Sequence, residues 1–213
     1  RGRIDRVDLF RAPGATETWC VVMDYKSSGK KLDPLLVECG AQLQLLSYLN
    51  VLQRLPAENA LGVKQLVPAG VFYVSLRAPP AGGDSRAMLQ TAEASRQEAY
   101  RHTGRFDLGA LRMLDASGAD RGEQFNYRLK QDGTPYANST ELLPRAEFQR
   151  QLAAVEARLR EMGARIFSGE AKVDPYRKGG ETPCEFCDYA PVCRIDPWTH
   201  EYRLLKKVEA EAG

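Results

Sequence analysis

No run of about 18 apolar residues occurs in this sequence, so no segment is expected to span a membrane. The opening residues, Arg1-Gly2-Arg3-Ile4-Asp5, lack the apolar stretch of a signal region. They read instead as the start of a strand, and the expectation is that the chain is part of a longer protein. Neither sign of charge prevails: 30 basic and 28 acidic residues leave a net charge of +2. Bulk charge is therefore silent about nucleic acid, and any such surface would have to be local. Internal repeats and low-complexity linkers are absent. Cysteine is sparse and uneven. Cys20 and Cys39 stand alone in apolar or helical contexts, whereas Cys184, Cys187 and Cys193 fall within ten residues. That asymmetry argues against a secreted disulfide framework and for metal ligation in a reducing compartment, hence the cytoplasm. What is present, 43% hydrophobic and 27% charged residues over 213 positions, suffices for one substantial core or a core with a small appendage.

The pattern along the chain predicts an α/β fold. Ile4, Val7 and Leu9 alternate with polar residues over 3–10, which suits a strand. Ala12-Pro13-Gly14-Ala15 is turn chemistry. Trp19 to Tyr25 reads as a buried second strand paired with the first. Apolar residues recur at helical spacing from Leu35 to Leu55, where Pro56 stops them. Ala69 to Leu76 reads as a third, buried strand. Residues 84–123 are polar and read as an exposed, partly helical region. Gln124 to Lys130 with Gln131-Asp132-Gly133-Thr134 suggests a small hairpin arm. Between Pro144 and Ser168, Phe148, Leu152, Val155, Leu159, Met162 and Ile166 repeat every three or four residues, an amphipathic helix. Residues 174–196 form a loop rich in Pro, Gly and Cys, and a charged tail of helical composition follows. The resulting division is 1–173, a core; 174–196, a cysteine-rich segment; and 197–213, a tail, all within one structural domain.

Asp5 falls on the first strand, and Asp24-Tyr25-Lys26 closes the second. Two carboxylates on adjacent strands can meet at one sheet end, and Asp24 and Lys26 share a face because they are two apart. Such a set suits phosphodiester hydrolysis. Carboxylates hold Mg²⁺ or Mn²⁺, the metal polarises a phosphate and acidifies a water, and a lysine orients that water or offsets phosphate charge. The triplet alone is weak: 28 acidic residues and nine lysines give about one acidic-x-Lys match by chance. A second match, Glu170-Ala171-Lys172, follows a helix end and reads as a solvated cap. Without further motifs, Asp24 and Lys26 would read as a strand-end salt bridge.

Further motifs are present. Gly2-Arg3-Ile4-Asp5-Arg6-Val7-Asp8, then Asp24-Tyr25-Lys26-Ser27-Ser28, then Gln44-Leu45-Leu46-Ser47-Tyr48, resemble in order and spacing the RecB-like branch of the PD-(D/E)XK nucleases. The resemblance implies a restriction-endonuclease-like mixed sheet flanked by helices. It implies that Asp5 and Asp24 bind Mg²⁺ or Mn²⁺ and that Lys26 serves the attacking water. Gln44 and Tyr48, on one helix face, would contact the DNA backbone or the catalytic groups. Asp8 matches the pattern but points to the opposite strand face from Asp5. Lys30 and Lys31 flank the centre and read equally as phosphate contacts or as a solvated loop, as do Arg177 and Lys178 near the cysteines.

Cys184-x₂-Cys187-x₅-Cys193 brings three thiols together, a pattern accepted by zinc or by an iron–sulfur cluster. Thr182 through Asp196, with Asp174-Pro175-Tyr176 before it and Leu32-Asp33-Pro34 after the lysine triplet, resembles the C-terminal signature of AddB/RexB-type helicase–nuclease subunits. In that family a [4Fe–4S] cluster staples the C-terminal end of the domain to its start. Its fourth cysteine lies upstream of the first nuclease motif, outside this chain, as does an upstream histidine common in the RecB-like branch. Cys20 reads as a small core residue, Cys39 as a helix residue, and His102 and His200 as surface residues. The resemblance implies an Mg-dependent exonuclease-type deoxyribonuclease acting on single-stranded DNA from a duplex end during double-strand-break repair. It further implies an AddA-type helicase–nuclease partner, with weak or no activity for this chain alone. Two other readings stand beside it: a catalytically silent DNA-gripping or subunit-docking scaffold of the same fold, and a zinc-ribbon module, which leaves the first 50 residues unexplained.

Overall fold

Trp19-Cys20-Val21-Val22-Met23 has apolar side chains on both strand faces, so it can satisfy neither face in water and must lie inside a sheet covered on two sides. A computed structural model, which describes residues 2–56, 61–63, 65–77, 97–196 and 198–206, places it there. The run is the centre of β2 (Thr18–Lys26). β2 pairs antiparallel with β1 (Arg6–Phe10) and parallel with β3 (Leu66–Ser75). β4 (Thr103–Asp107) runs antiparallel to β3, and the short β5 (Leu142–Leu143) runs parallel to β4. The result is a mixed sheet ordered β1-β2-β3-β4-β5.

A parallel pair needs a crossover, and helices supply it. The apolar periodicity over 35–55 predicts one helix; the structure has two, α1 (Pro34–Glu38) and α2 (Gln44–Gln53). Gly40 separates them at φ +79, a left-handed backbone that costs other residues a steric penalty. Asp33 starts α1, its Oδ1 accepting from the N–H groups of Leu35 and Leu36.

The sheet's two faces bury separate clusters. On one, Cys20, Val22 and Val71 pack with Leu45, Leu46 and Leu49 of α2 and with Phe148, Leu152 and Val155 of the long helix Arg145–Phe167. Asn50 fastens the two helices, its Nδ2 donating to the Leu152 carbonyl at 2.9 Å. On the other face, Val21, Met23, Phe72 and Phe106 pack under Phe125, Tyr127, Leu129 and the short helix α3 (Leu111–Leu114). The long helix is α4 in chain order.

Three expectations are corrected here. The polar stretch 84–123 contains β4, whose Gly104, Arg105, Phe106 and Asp107 are buried; residues 84–96 of it lie outside the described residues. Gly104 passes so close to β3 that an added Cβ would sit 1.8 Å from the Val71 carbonyl oxygen. The segment 124–134 turns back at Gly133, as a hairpin would, but it is no free arm, because its Phe125, Tyr127 and Leu129 close the second core. The described part of the tail is not helical: β7 (Arg203–Leu204) pairs in parallel with β6 (Tyr176–Arg177).

The α4 stripe is buried only through Val155; Leu159, Met162, Ile166 and Phe167 are exposed. No helix among the described residues is long and apolar enough to cross a membrane. The division of α4 is testable. Phe148→Ala removes a ring with 0% exposure and should cost about 3–5 kcal/mol in urea unfolding. Phe167→Ala, at a ring 96% exposed, should stay within about 0.5 kcal/mol of wild type. Equal losses would refute this account of the core.

Candidate active site

The strand register assembles the site. Asp24 of β2 pairs with Tyr73 of β3, and Tyr73 pairs with Thr103 of β4, so one row crosses three strands at one sheet end. Asp5 sits one residue before β1 rather than within it; the Arg6–Met23 pairing brings it to the next position in that row, beside Asp24. One Asp5 carboxylate oxygen accepts from the Tyr25 backbone N–H at 3.1 Å, which fixes the side chain across the strand gap.

Asp24 is 6% exposed, while Asp5 is exposed to solvent. A carboxylate that deep needs a counter-charge. Lys26, two residues on and on the same face, forms an ion pair with it. The hydrogen bond from Lys26 to Asp24 raises the lysine pKa, outweighing partial burial, and Asp5 adds to the effect at longer range. The ammonium is therefore held charged.

Beside it lies Tyr73, which sequence reading does not single out. Lys26 Nζ is 5.6 Å and Lys30 Nζ 5.2 Å from its ring centroid. Burial pushes the Tyr73 phenol up, against a weaker opposing effect of Gln42. Its hydroxyl has no partner in hydrogen-bonding geometry among the described residues.

The loop leading away from Lys26 is held by side chains. Thr103 Oγ1 donates to the Lys30 carbonyl at 2.6 Å, Gln42 Nε2 to that of Lys31 at 2.9 Å, and Arg105 Nη2 to that of Leu32 at 3.2 Å. The Asp33 N–H in turn donates to Gln42 Oε1 at 2.8 Å. Gln42, Tyr73, Thr103 and Arg105 carry no motif of their own, and only the register and the loop path reveal them.

Gln44 and Tyr48 stand one turn apart on α2, Gln44 Nε2 donating to Tyr48 Oη at 2.8 Å. The Tyr48 ring lies against the segment before Asp5: a Cβ built on Gly2 would be 3.4 Å from Tyr48 Cε1. Two carboxylates and an adjoining ammonium thus stand at one sheet end, with a hydrogen-bonded Gln44–Tyr48 pair on α2. The PD-(D/E)XK nuclease superfamily model matches residues 1–194. The chain belongs to the PD-(D/E)XK nuclease superfamily. It is 33% identical over 92% of its length to the B-type subunit of an ATP-dependent helicase/deoxyribonuclease from Moorella thermoacetica, covering 17% of that protein. The protein of the same name from Symbiobacterium thermophilum is 33% identical over 99% of the chain, and that from Lysinibacillus sphaericus is 30% identical over 98%; each is matched across 18% of its own length. The chain thus spans less than a fifth of these curated relatives.

Within this PD-(D/E)XK frame the other motif positions separate. Asp8 is on the opposite sheet face, bound to Arg6 by bonds of 2.7 and 2.8 Å. Glu170 of the second triplet pairs with Arg165 at the end of α4, which supports a solvated cap. His102 is no free surface group: its ring meets Phe125 edge-on at 5.5 Å, and burial lowers its pKa. Cys20 is fully buried in the core, and desolvation pushes its thiol up to about 12.

Cys184 lies in a 3₁₀ turn (Pro183–Phe186), Cys187 follows it, and Cys193 ends α5 (Ala190–Cys193). Among the described residues no three His, Cys, Asp or Glu side chains gather into a group that could hold a metal. The cysteine segment is tied to the site loop, because Lys178 forms an ion pair with Asp33. Its neighbour Arg177 stacks over Tyr202 at 4.3 Å.

The Lys26 shift has a defined sign. A lysine raised by its partner adds stability that is complete below the ordinary lysine value and is lost as pH rises through the raised one. Asp24→Asn removes the leading cause, so the Lys26 titration followed by NMR at its ε-carbon should move down. A midpoint unchanged in the variant would show that Asp24 does not hold the ammonium.

Proposed function

We propose that this chain is the nuclease domain of a helicase–nuclease subunit, hydrolysing phosphodiester bonds of single-stranded DNA that emerges from a duplex end during double-strand-break repair. The observation that carries the reading is the buried Asp24 carboxylate, paired with Lys26 and aligned with Asp5 at one sheet end. The names of the relatives support a deoxyribonuclease coupled to a helicase. With that reading go a cytoplasmic complex, exonuclease-type cutting and an AddA-type partner. Residues 1–173 are then the nuclease core, 174–196 the cysteine segment and 197–213 the tail.

Asp5 and Asp24 would hold Mg²⁺ or Mn²⁺. The donor set fits, since both groups offer hard oxygen atoms, and Mg²⁺ is commonly held by only one or two carboxylates with water and phosphate completing its shell. Bound there, the ion would polarise the phosphate and acidify a water. Lys26 pairs with Asp24, which favours its charged form. Its role is to orient the attacking water and offset charge developing on the phosphate. Asp5, restrained by the Tyr25 N–H, keeps its second oxygen available. Gln44 and Tyr48 position the strand from α2.

Cys184, Cys187 and Cys193 would supply three thiolates of a [4Fe–4S] cluster whose fourth ligand comes from elsewhere in the full-length protein. The chemistry suits, since these are three soft donors on one short segment. The competing reading of a catalytically silent scaffold is weakened because Asp5, Asp24, Lys26, Gln44 and Tyr48 are all present and brought to one end of the sheet and the helix facing it.

The deciding measurement is Mg²⁺- or Mn²⁺-dependent cleavage of single-stranded DNA by the full-length protein. Asp24→Ala or Lys26→Ala should each reduce it by about a hundredfold or more. DNA binding without cleavage in any metal would establish the scaffold instead. Iron analysis of the anaerobically purified full-length protein should find iron that Cys187→Ser removes; zinc in its place would overturn the cluster assignment.

A further inference from the structure

The row Asp24–Tyr73–Thr103 reaches the start of β4, where β5 no longer pairs with it. Just beyond Thr103, at the same end of the sheet, a cleft opens between the start of β4 and the segments around 126 and 140. Arg101, Arg121 and Arg128 line it, together with Asn126, Tyr136 and Asn138. Its floor is Glu141, immediately before β5, and both oxygens of that carboxylate are engaged. Oε2 accepts from the Gly104 N–H at 3.0 Å and Oε1 from Asn126 Nδ2 at 2.6 Å.

The rim is cationic. Glu98 is the exposed carboxylate facing it, 3.2 Å from Arg101 and 3.8 Å from Arg121. Arg128 has no carboxylate within ion-pair distance among the described residues, and its guanidinium lies 5.5 Å from the centroid of the Tyr136 ring. Tyr136 is 42% exposed. The clamped loop runs between site and β4: Lys30 lies over Tyr73, and its carbonyl accepts from Thr103 at the start of β4. Two strand spacings, about 10 Å, separate the Asp24 and Thr103 positions.

We infer that this cleft is a second substrate contact, holding a single-stranded DNA segment next to the site with its phosphates on the exposed Arg121 and Arg128 and a base against Tyr136, while Arg101, bonded to Glu98 and the Glu123 carbonyl, braces the cleft wall. The inference rests on the nuclease reading for the strand's identity. Guanidiniums beside an exposed aromatic face, with side-chain amides between them, are the chemistry that holds single strands without regard to sequence. An acidic peptide would use the guanidiniums but leave the aromatic plane and the continuity with the carboxylate pair without a role.

The test is fluorescence anisotropy of a labelled oligothymidylate with this chain, in chelator so that no cutting intervenes. The paired variant Arg128→Gln/Tyr136→Ala alters two exposed side chains, and its fold is checked by thermal unfolding. It should bind roughly tenfold more weakly, with a salt dependence shallower by about 0.7 per lost phosphate contact. Arg128→Lys/Tyr136→Phe should restore most of the affinity. Binding equal to wild type in the first variant, or no binding by the wild-type chain, would overturn the inference. The two proposals fail separately. If the full-length protein cleaves no single-stranded DNA in any metal, yet the paired variant still loses oligonucleotide affinity, the nuclease reading falls and the cleft stands. If Asp24→Ala abolishes cleavage while the paired variant binds normally, the cleft falls alone.

Discussion

A carboxylate removed from water must be compensated, and the buried Asp24 sets the terms for the surrounding structure. Its compensation comes from Lys26, two residues along the same strand. That spacing works only if β2 remains regular to its end, and the parallel β3 partner enforces this through the pairing of Asp24 with Tyr73 and of Lys26 with Ser75. The irregularity in β2 pairing falls instead between Cys20 and Val21, away from the charged end. Removing one partner of such a pair would leave an uncompensated charge, which is why the two side chains behave as a unit.

The parts legible in the sequence share a physical cause. β2 and β3 are readable because continuous apolar runs leave a strand little choice but burial, and α4 because its stripe persists over many turns. Asp5, Asp24 and Lys26 are readable because strand alternation fixes their face, and the resemblance supplies their chemistry. β4 is illegible because Thr103-Gly104-Arg105-Phe106-Asp107 offers one large apolar residue. Its burial depends on tertiary partners: Glu141 accepts from the Gly104 N–H, and the Leu32 carbonyl accepts from Arg105. The break at Gly40 escapes because periodicity registers side chains and not the sign of φ. Tyr73 is invisible as a site residue because a tyrosine in a buried strand normally reports packing, and only its register with Asp24 gives it another context.

Most of the polar side chains that shape the site act on backbone. Thr103, Gln42 and Arg105 come from separate positions in the chain, yet they donate to the successive carbonyls of Lys30, Lys31 and Leu32. A loop following a strand would ordinarily give those carbonyls to water and move freely. Here each has a side-chain donor, so the Lys30 and Leu32 positions are held from β4 and the Lys31 position from Gln42, just before α2. Asp33 continues the pattern by capping α1 with one oxygen and meeting Lys178 with the other.

The same logic bears on the C-terminal segment. Its described attachments include the Lys178–Asp33 ion pair and the short β6–β7 pairing, while Phe186, Tyr189 and Val192 around the three cysteines are exposed. An ion pair with both partners partly exposed contributes little by itself, and two-residue strands add few backbone bonds. A segment with so little buried apolar surface cannot be ordered by packing alone. Among its described attachments, the tie to the site loop is therefore the Lys178–Asp33 ion pair. Asp33 caps α1 with one oxygen and meets Lys178 with the other, so the cysteine segment and the loop carrying Lys30 and Lys31 meet at one carboxylate.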